Sequence, residues 1–544
     1  MPHRLKRLVP LCLVVGICFL GSGSGSAGAG PTPDCSTQVN DTPAKLLPCI
    51  TTADLMNHMQ NFWDIAVANP GPDGHPSRNS GEPGYLASVM YVKQLMDAAG
   101  YTTTIQTYHF PYFAYQGIPT MSEVSPTARD FTMNVDFNAG QAAGVSTAPV
   151  QPVGGIIIPP TATPSSTSGC TPADFASFTP GNIALIQRGG CNFGVKIQNA
   201  KAAGASGVVI FNEGQPGRTD TMGISIQDAN GDVFIPDIPV VFTTFALGEE
   251  LFNDAKTALP VVTLHVPAIV DPNREDYNLI ADSKGGDKNH TLVIDAHLDA
   301  IYGAGMLDNA SGSATILQIA QLMKNVNPTN HLRFIWFGGE ELGLLGSKFY
   351  VNSLSPSDRS HIGYDLDADV TATPNYTLGI LDPSAKDLFG TATTADTFPN
   401  RVYKASLIGR DAGVDYLSSQ QQNHEFFSPT GTDAFEFNLA GIPASGVLTG
   451  QDCCKTQAEV DLFGGHTGVF EGIEPGGCVD NPFLWCDNLD NNDFNVMTLM
   501  TRDFANMVLT MAFDTKVMSA SSSVVLNKKT AISQETGSRH FLTG

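Results

Sequence analysis

Basic residues are scarce in this chain of 544 residues, which has 29 Lys and Arg against 53 Asp and Glu and a formal net charge of −24. An acidic surface repels phosphate backbones and anionic lipid headgroups, so nucleic acid and anionic membranes are disfavoured as partners. Charged residues make up only 15% of the chain, whereas Gly and Pro are frequent. We therefore expect a protein with extensive loops.

Long apolar runs are absent after the first twenty residues. Residues 1–29 have the pattern of a secretory signal: Arg4, Lys6 and Arg7 precede an apolar stretch over 8–20, and small residues follow. That stretch is too short to span a bilayer comfortably. We expect the signal to be removed, leaving no membrane span and a secreted, periplasmic or extracellular protein.

The ten cysteines show no zinc-finger spacing, and eight remain once Cys12 and Cys18 leave with the signal. Pairing within sequence clusters is the simplest expectation, although spacing alone does not fix connectivity. The clusters are Cys35 with Cys49, Cys170 with Cys191, Cys453 with Cys454, and Cys478 with Cys486. A bond between two adjacent cysteines would be strained, so cross-pairing among the last four stays open.

No Ser or Cys lies in a nucleophile elbow such as G-x-S-x-G, so nothing supports a covalent nucleophile. The chain has instead a stretch of buried-strand and helix patterns over 291–347. Its apolar run 292–296 predicts a strand that ends at His297 and Asp299. Asp308 then opens a small-residue turn before a predicted helix over 314–323.

A second apolar strand, predicted over 332–337, delivers Glu340 and Glu341 in its exit loop. Open α/β sheets place ligands beyond the carboxyl ends of their strands, so one imidazole and several carboxylates should meet at one edge. Imidazole nitrogen and carboxylate oxygen are normal zinc ligands. In a paired site Asp308, on the turn between the others, is suited to bridge two ions about 3.5–4 Å apart.

The segments HLDA, GMLDNASGSA and WFGGEELGLLGS resemble the secreted zinc aminopeptidases with two co-catalytic metals, which include bacterial leucyl aminopeptidases and aminopeptidase Y. The resemblance implies that His297 binds the first zinc, Asp308 bridges and Glu341 binds the second. It makes Glu340 the general base. Asp299 would lie behind His297 and orient its ring.

The same family carries a pattern like N-x-D-M-I-A-S-P-N-Y, which is similar to the segment before Tyr376. Aligned from its Pro-Asn-Tyr end, the pattern puts Asp369 on the metal ligand and Asp367 on the preceding Asn, so Asp367 is the second choice. The segment 428–450 resembles the family's loop at the substrate pocket. Its Asp433 is expected to support the ligands from behind.

The resemblance weakens where relatives have Cys-Tyr-His-x-x-Cys-Asp, whose His binds the second zinc. This chain reads CVDNPFLWCDNL, which retains Asp487 and both cysteines but puts Phe483 where the His should be. We therefore expect zinc as two ions, with an expected ligand of the second ion missing. His466 and His424 are candidate substitutes for the missing ligand.

The run GNIALIQRGGCNFGVKIQNAKAAGASGVVIFN predicts strand, helix and strand, and it resembles the protease-associated domain, in which Cys170 and Cys191 would be bonded. We expect a signal over 1–29, a catalytic domain over 30–149 and 266–515, the protease-associated domain over 150–265 and a polar tail over 516–544. The fold class is α/β: a mixed, mainly parallel sheet flanked by helices, with a smaller β-rich domain inserted.

The expected function is a secreted zinc-dependent exopeptidase, foremost an aminopeptidase acting on peptides or proteins. A carboxypeptidase-like or other amide hydrolase on the same fold remains an alternative, as does a binding protein with an impaired second metal site. Side-chain preference and oligomeric state do not follow from the sequence.

Overall fold

The computed structural model describes residues 34–222, 226, 228–229, 235–301, 303–386, 397–450, 453–470 and 487–515. The strands are β1 Thr102–Tyr115, β2 Thr120–Ser125, β3 Arg129–Phe131, β4 Phe137–Ala139, β5 Gly144–Pro152, β6 Ile183–Gln187, β7 Gly207–Phe211, β8 Val240–Thr243, β9 Val261–Val266, β10 Ala268–Asp282, β11 Asp287–His297, β12 Asn330–Phe337, β13 Ile362–Ala368, β14 Gly379–Leu381, β15 Glu425–Phe427, β16 Ala444–Leu448, β17 Cys453–Lys455 and β18 Gly468–Val469. The α-helices are α1 Pro43–Leu46, α2 Thr52–Ala68, α3 Pro83–Ala99, α4 Phe193–Ala202, α5 Phe245–Asp254, α6 Ser311–Met323, α7 Leu345–Ser353, α8 Pro356–His361, α9 Asn400–Ala405, α10 Leu407–Ser419, α11 Ala434–Leu439, α12 Gln457–Phe463 and α13 Phe494–Phe513.

The central sheet has eight strands in the order β1-β10-β12-β11-β13-β16-β14-β15. Its middle is parallel, because β11 pairs in parallel with both β12 and β13, and β13 with β16. The antiparallel pairs are β1 with β10, β10 with β12, and β14 with β16. The predicted fold class, a mixed α/β sheet with helices around it, is confirmed.

The main hydrophobic core lies between this sheet and the helices that flank it. Strand β11 contributes the fully buried run 292–294, and α6 and α13 are buried along most of their length. Strands buried on both faces read as continuous apolar runs, which is why 292–296 and 332–337 were recognisable from sequence. The observed β11 and β12 extend those runs by a few residues.

A second eight-stranded sheet has the order β3-β2-β9-β5-β6-β7-β8-β4, and helices α4 and α5 pack on its β7 strand. The strand–helix–strand pattern predicted between 183 and 211 corresponds to β6, α4 and β7. The sheet already begins at Thr120, ahead of the range 150–265 expected for the inserted domain. The domain limits themselves stay a prediction.

Two of the expected disulfides are present. Cys35 is bonded to Cys49, and Cys170 to Cys191. The side chains of Cys453 and Cys454, together with residues 478 and 486, lie outside the described part of the chain, as do the signal 1–29 and the tail 516–544. Among the described helices, none has both the length and the apolar character that crossing a bilayer requires.

The parallel register brings the exits of three strands to one edge of the central sheet. His297 is the last residue of β11 and lies opposite Phe337, the last residue of β12. Glu340 follows β12 by three residues, and Asp369 follows β13 directly. The turn that carries Asp308 connects β11 to α6 at the same edge. The topology therefore gathers side chains that are up to 72 residues apart.

Candidate metal centre

His297, Asp308 and Asp369 converge on one point, with a ligand atom from each within 4.8 Å of the others. The His297 Nε2 atom lies 3.0 Å from Asp308 Oδ1 and 3.3 Å from Asp369 Oδ1. Nitrogen and oxygen ligands held about 2.0–2.1 Å from a tetrahedral zinc would lie about 3.3 Å apart. The three side chains therefore have the chemistry and the separations of a zinc site.

A proton on the imidazole does not satisfy this arrangement. The single Nε2 atom faces Asp308, Asp369 and also Glu340 Oε2 at 3.8 Å, yet it can donate only one hydrogen. His297 and Asp369 are each 2% exposed, and Asp369 Oδ1 accepts no hydrogen bond among the described residues. A multivalent cation would balance these buried like charges, and the donor set fits zinc.

The charges around His297 change its titration. Burial opposes a positive charge on the ring, but the carboxylates of Glu340, Asp299, Asp308 and Asp369 outweigh it and raise the pKa of His297 well above its usual value. Asp299 Oδ1 lies 3.5 Å from the ring Nδ1, behind the ring, where it can orient the imidazole. This is the position that the sequence predicts for Asp299.

Glu340 lies beside the three-residue group and is 9% exposed. Its backbone N–H donates to Asp299 Oδ1 at 3.2 Å, which fixes the start of its loop. Burial, assisted by the nearby carboxylates of Asp369 and Glu341, raises the pKa of Glu340 well above the usual value, although His297 opposes the shift. A buried glutamate close to a metal site is suited to taking up and releasing a proton during a reaction.

Glu341 is half-buried in the same exit loop, but the three-residue group does not include it. Two further candidates also stay outside that group within the described residues. His466 faces Asn375 and the carbonyl of Thr467, and the His424 ring packs against Phe426 beside the edge strand β15. Phe483, which the resemblance puts in the place of the missing His, lies outside the described residues.

Asp367, in β13, and Asp369, directly after it, face different partners. Asp369 is directed at His297, whereas Asp367 accepts a hydrogen bond from the backbone N–H of Ala434 at 3.1 Å. Asp433, next to Ala434, is 1% exposed, and burial followed by the charge of Asp367 raises its pKa well above the usual value. Asp433 therefore lies close to Asp367 and outside the three-residue group.

Asp487 is a supporting residue to which the sequence assigned no role. Its carboxylate accepts the backbone N–H groups of Leu307 at 2.7 Å and of Asp308 at 3.1 Å, and so fixes the turn that presents Asp308. Burial raises the pKa of Asp487 to about 6, although the two backbone donors oppose the shift. The available sequence signal was that Asp487 matches the final Asp of the family's Cys-Asp pair.

Arg78 holds the other side of that turn. The fully buried guanidinium donates to the carbonyl oxygens of Leu298 and Ala304, each at 2.6 Å, and to that of Gly305. These bonds join the exit of β11 to the approach of Asp308. Because these acceptors are backbone carbonyls, the residue types of the partners do not predict the bonds.

Family models match two parts of the chain. The model of peptidase family M28 matches residues 278–471, which include β11, β12 and the three converging side chains. The model of the PA domain matches residues 152–251, in the second sheet.

Solved structures share the fold. An aminopeptidase from Aneurinibacillus sp. strain AM-1 aligns with a TM-score of 0.57 at 21% identity, covering 87% of this chain and 96% of that one. BSAP, a zinc aminopeptidase from Bacillus subtilis, aligns with a TM-score of 0.53 at 21% identity, covering 86% of this chain and 96% of that one.

Sequence relatives are more similar. A "Probable leucine aminopeptidase 2" of Aspergillus fumigatus is 30% identical over 451 residues, covering 81% of this chain and 80% of the relative. An aminopeptidase of Pseudomonas aeruginosa is 33% identical over 504 residues, covering 92% of this chain and 86% of the relative. With this similarity along nearly its whole length, the chain belongs to peptidase family M28 and is a metallopeptidase with an inserted PA domain.

Proposed function

We propose that this protein is a secreted zinc aminopeptidase that releases N-terminal residues from peptides, with Glu340 as the general base. The observation that carries the proposal is the convergence of His297, Asp308 and Asp369 within 4.8 Å, with Glu340 Oε2 at 3.8 Å from the same imidazole nitrogen. The relatives named as aminopeptidases support the choice of reaction. The two disulfides support an oxidising compartment outside the cytoplasm.

Zinc, when bound, supplies a Lewis acid and lowers the pKa of a coordinated water. The protein's own contribution is to hold and move the proton. Glu340 takes a proton from the attacking water and gives it to the leaving amine, which requires a carboxylate that changes state near neutral pH. The burial of Glu340 raises its pKa, which is the direction of shift that this role needs.

The free α-amine of a peptide should be held by carboxylate oxygens at the same edge of the sheet. Asp369 is suited to this second task, because its Oδ1 lies 3.3 Å from His297 Nε2, at the edge of the sheet where the peptide would bind. We further propose that Asp308 and Glu341 are the residues that would hold a second zinc, which would supply a further Lewis acid at the same edge of the sheet. With only those two protein ligands, the second ion should be held less firmly than the first.

We propose the residues 30–149 and 266–515 as the catalytic domain and 150–265 as the inserted domain. The match of the PA domain model to 152–251 supports the placement of the insert. Strands β2 to β4 also belong to the insert's sheet, so the chain enters that sheet before residue 150.

Purified protein should be assayed on three kinds of substrate. These are aminoacyl-p-nitroanilides, the same compounds with a blocked amine, and N-blocked peptides with a free carboxyl terminus. We expect turnover only where the α-amine is free, with loss of turnover in Glu340→Gln. Cleavage of N-blocked peptides from the carboxyl end would instead establish a carboxypeptidase. Zinc binding without turnover on any of the three substrates would establish a binding protein.

A further inference from the structure

Ser80 connects the two halves of the proposed active site through one hydroxyl group. Its Oγ donates to Asp299 Oδ2 at 3.0 Å and accepts a hydrogen bond from the backbone N–H of Gly339 at 2.8 Å. Asp299 lies behind His297, and Gly339 immediately precedes Glu340. The distance along the chain from Ser80 is 219 residues to Asp299 and 259 to Gly339.

The two oxygens of Asp299 complete a closed set of bonds. Oδ1 accepts the N–H of Glu340 at 3.2 Å and faces the ring of His297, while Oδ2 accepts the hydroxyl of Ser80. The loop of Glu340 is thus attached to Asp299 directly through its own N–H and indirectly through Gly339 and Ser80. All these atoms are buried, since Ser80 is 3% and Asp299 0% exposed.

A second buried carboxylate, Asp276, is also close enough to Ser80 for the hydroxyl to lower its pKa, but it has further donors of its own. Its Oδ2 accepts the phenolic hydroxyl of Tyr108 at 2.9 Å, and the backbone N–H of Gly81 lies 3.4 Å from Oδ1. A serine hydroxyl has one hydrogen to donate. The geometry directs that hydrogen to Asp299, because Asp276 is supplied by Tyr108.

We propose that Ser80 is a positioning residue, which sets the separation between the metal-binding imidazole of His297 and the general base Glu340 through Asp299 and Gly339. This inference rests on the proposed function, since it deepens the roles assigned there. Gly339 has a φ of +65°, so the chain turns sharply just before Glu340, and Ser80 is the hydrogen-bond acceptor of its N–H. Removing the hydroxyl leaves a buried N–H without its acceptor and Asp299 Oδ2 without its donor.

The loss should appear at the metal and in turnover more than in substrate binding. Groups that orient a metal ligand from behind typically contribute about 10–100-fold to metal affinity or activity. For Ser80→Ala we expect kcat to fall about tenfold with KM within a factor of two, and zinc to exchange more readily to a competing chelator. The visible spectrum of the Co²⁺-substituted protein should also shift, since it reports how His297 meets the metal.

Ser88→Ala is the matched control. Ser88 is equally buried, on α3, but its hydroxyl donates only to the carbonyl of Gly84 within the same helix. It should leave kcat, the Co²⁺ spectrum and zinc affinity unchanged. Ser80→Cys is a second variant that keeps a side chain of similar shape but with a weak donor and acceptor, and it should show the Ser80→Ala changes in kcat, spectrum and zinc affinity.

A double-mutant cycle with Asp299→Asn tests the route of the effect. If Ser80 acts through Asp299, Ser80→Ala should add little to zinc loss and spectral change in the Asp299→Asn background. Fully additive effects, or Ser80→Ala and Ser80→Cys proteins with wild-type spectrum, zinc affinity and kcat, would overturn the proposal. If the wild type cleaves none of the substrates, the proposed reaction fails, and the Co²⁺ spectrum and zinc affinity still decide the role of Ser80.

Discussion

The side-chain amide of Asn309 donates a hydrogen bond to the carbonyl oxygen of Ala368 at 2.9 Å. The Oδ1 atom of the same side chain accepts the backbone N–H of Val370 at 3.1 Å. Asn309 follows Asp308, and the two backbone partners flank Asp369, so one fully buried side chain joins the two acidic members of the metal group. A side chain at Gly312 would collide with Asn309 and with the Ala368 carbonyl, which explains a small residue there.

Replacing Asn309 with Ala should weaken metal binding and stability together. The variant leaves the N–H of Val370 and the carbonyl of Ala368 without their partner, and a buried unsatisfied group costs about 1–3 kcal/mol. We expect lower zinc affinity in chelator competition and a lower urea midpoint. Asn330→Ala is the control, because Asn330 is also fully buried and donates to Met511 and Asp514 at the far end of β12.

Asn330→Ala should lower the urea midpoint without changing zinc affinity. Equal zinc affinity in Asn309→Ala and the wild type would show that Asn309 only stabilises the fold.

The two adjacent glutamates should separate in their effects. Glu340→Gln removes the proposed base but no proposed ligand, so metal content should be kept while kcat falls by about 10²–10⁴. Glu341→Gln should lower the occupancy of the second ion. Metal analysis by mass spectrometry alongside kcat checks both, and identical metal content in the two variants would refute the division of roles.

The sequence could predict the strand exits because they depend on local patterns. Strands β11 and β12 are buried on both faces, so their apolar runs end visibly at His297 and before Glu340. The parallel arrangement of such strands then places their exits at one edge without any knowledge of contacts. Asp308 came from this rule and from the resemblance together, whereas Asp369 came from the resemblance alone.

The residues that fix the site could not be predicted in the same way. Arg78, Ser80 and Asp487 act across 179 to 259 residues of chain, and most of their partners are backbone N–H and carbonyl groups. Every residue type offers those groups, so no spacing or periodicity marks the partner. The early start of the second sheet was also missed, because very short strands give little sequence pattern, and β3 and β4 have three residues each.

Asp308→Ala should remove metal and activity together. Asp308 supplies the carboxylate oxygen nearest to the His297 Nε2 atom and, as the proposed bridge, would serve both ions. The expected result is less than one zinc per chain after dialysis and no measurable turnover. Asp358→Ala, at an exposed position near the start of α8, should match the wild type in both measurements. A fully metallated, active Asp308→Ala protein would contradict the proposed metal site.

The second ion should leave first. If Asp308 and Glu341 are its only protein ligands, it has fewer than the three that are usual for catalytic zinc. A chelator titration should therefore release zinc in two phases, with activity lost in the first phase and restored by added zinc. His466→Ala should leave both phases unchanged, because the His466 ring faces the side-chain amide of Asn375 and the carbonyl of Thr467. Disappearance of the first phase in His466→Ala would instead identify His466 as a ligand.

Asp282 should make the stability of the fold depend on pH in the acid range. Burial opposes its charge, but hydrogen bonds from His331 and Arg333 outweigh burial and lower the pKa of Asp282 to about 2. Its Oδ1 lies 3.0 Å from His331 Nε2 and 2.7 Å from Arg333 Nε. The bonded carboxylate joins the ends of β10 and β12, well away from the metal group.

The sign follows from proton binding in the two states. Between about pH 4 and pH 2 the unfolded chain binds a proton at Asp282 that the folded chain does not, so the contribution is complete above pH 4 and is lost as pH falls. A shift of this size corresponds to about 2 kcal/mol. Asp282→Asn should therefore lower the urea midpoint at pH 7, and its difference from the wild type should shrink when both are measured at pH 3.

Asp97→Asn is the control, because Asp97 pairs with Lys93 on the exposed surface of α3, where such pairs contribute little. Its urea midpoint should follow the wild type at both pH values. The charge of Asp282 is what should make this difference depend on pH between pH 7 and pH 3. A difference between Asp282→Asn and the wild type that stays constant over this range would mean that Asp282 stabilises the strand ends by shape and neutral hydrogen bonding.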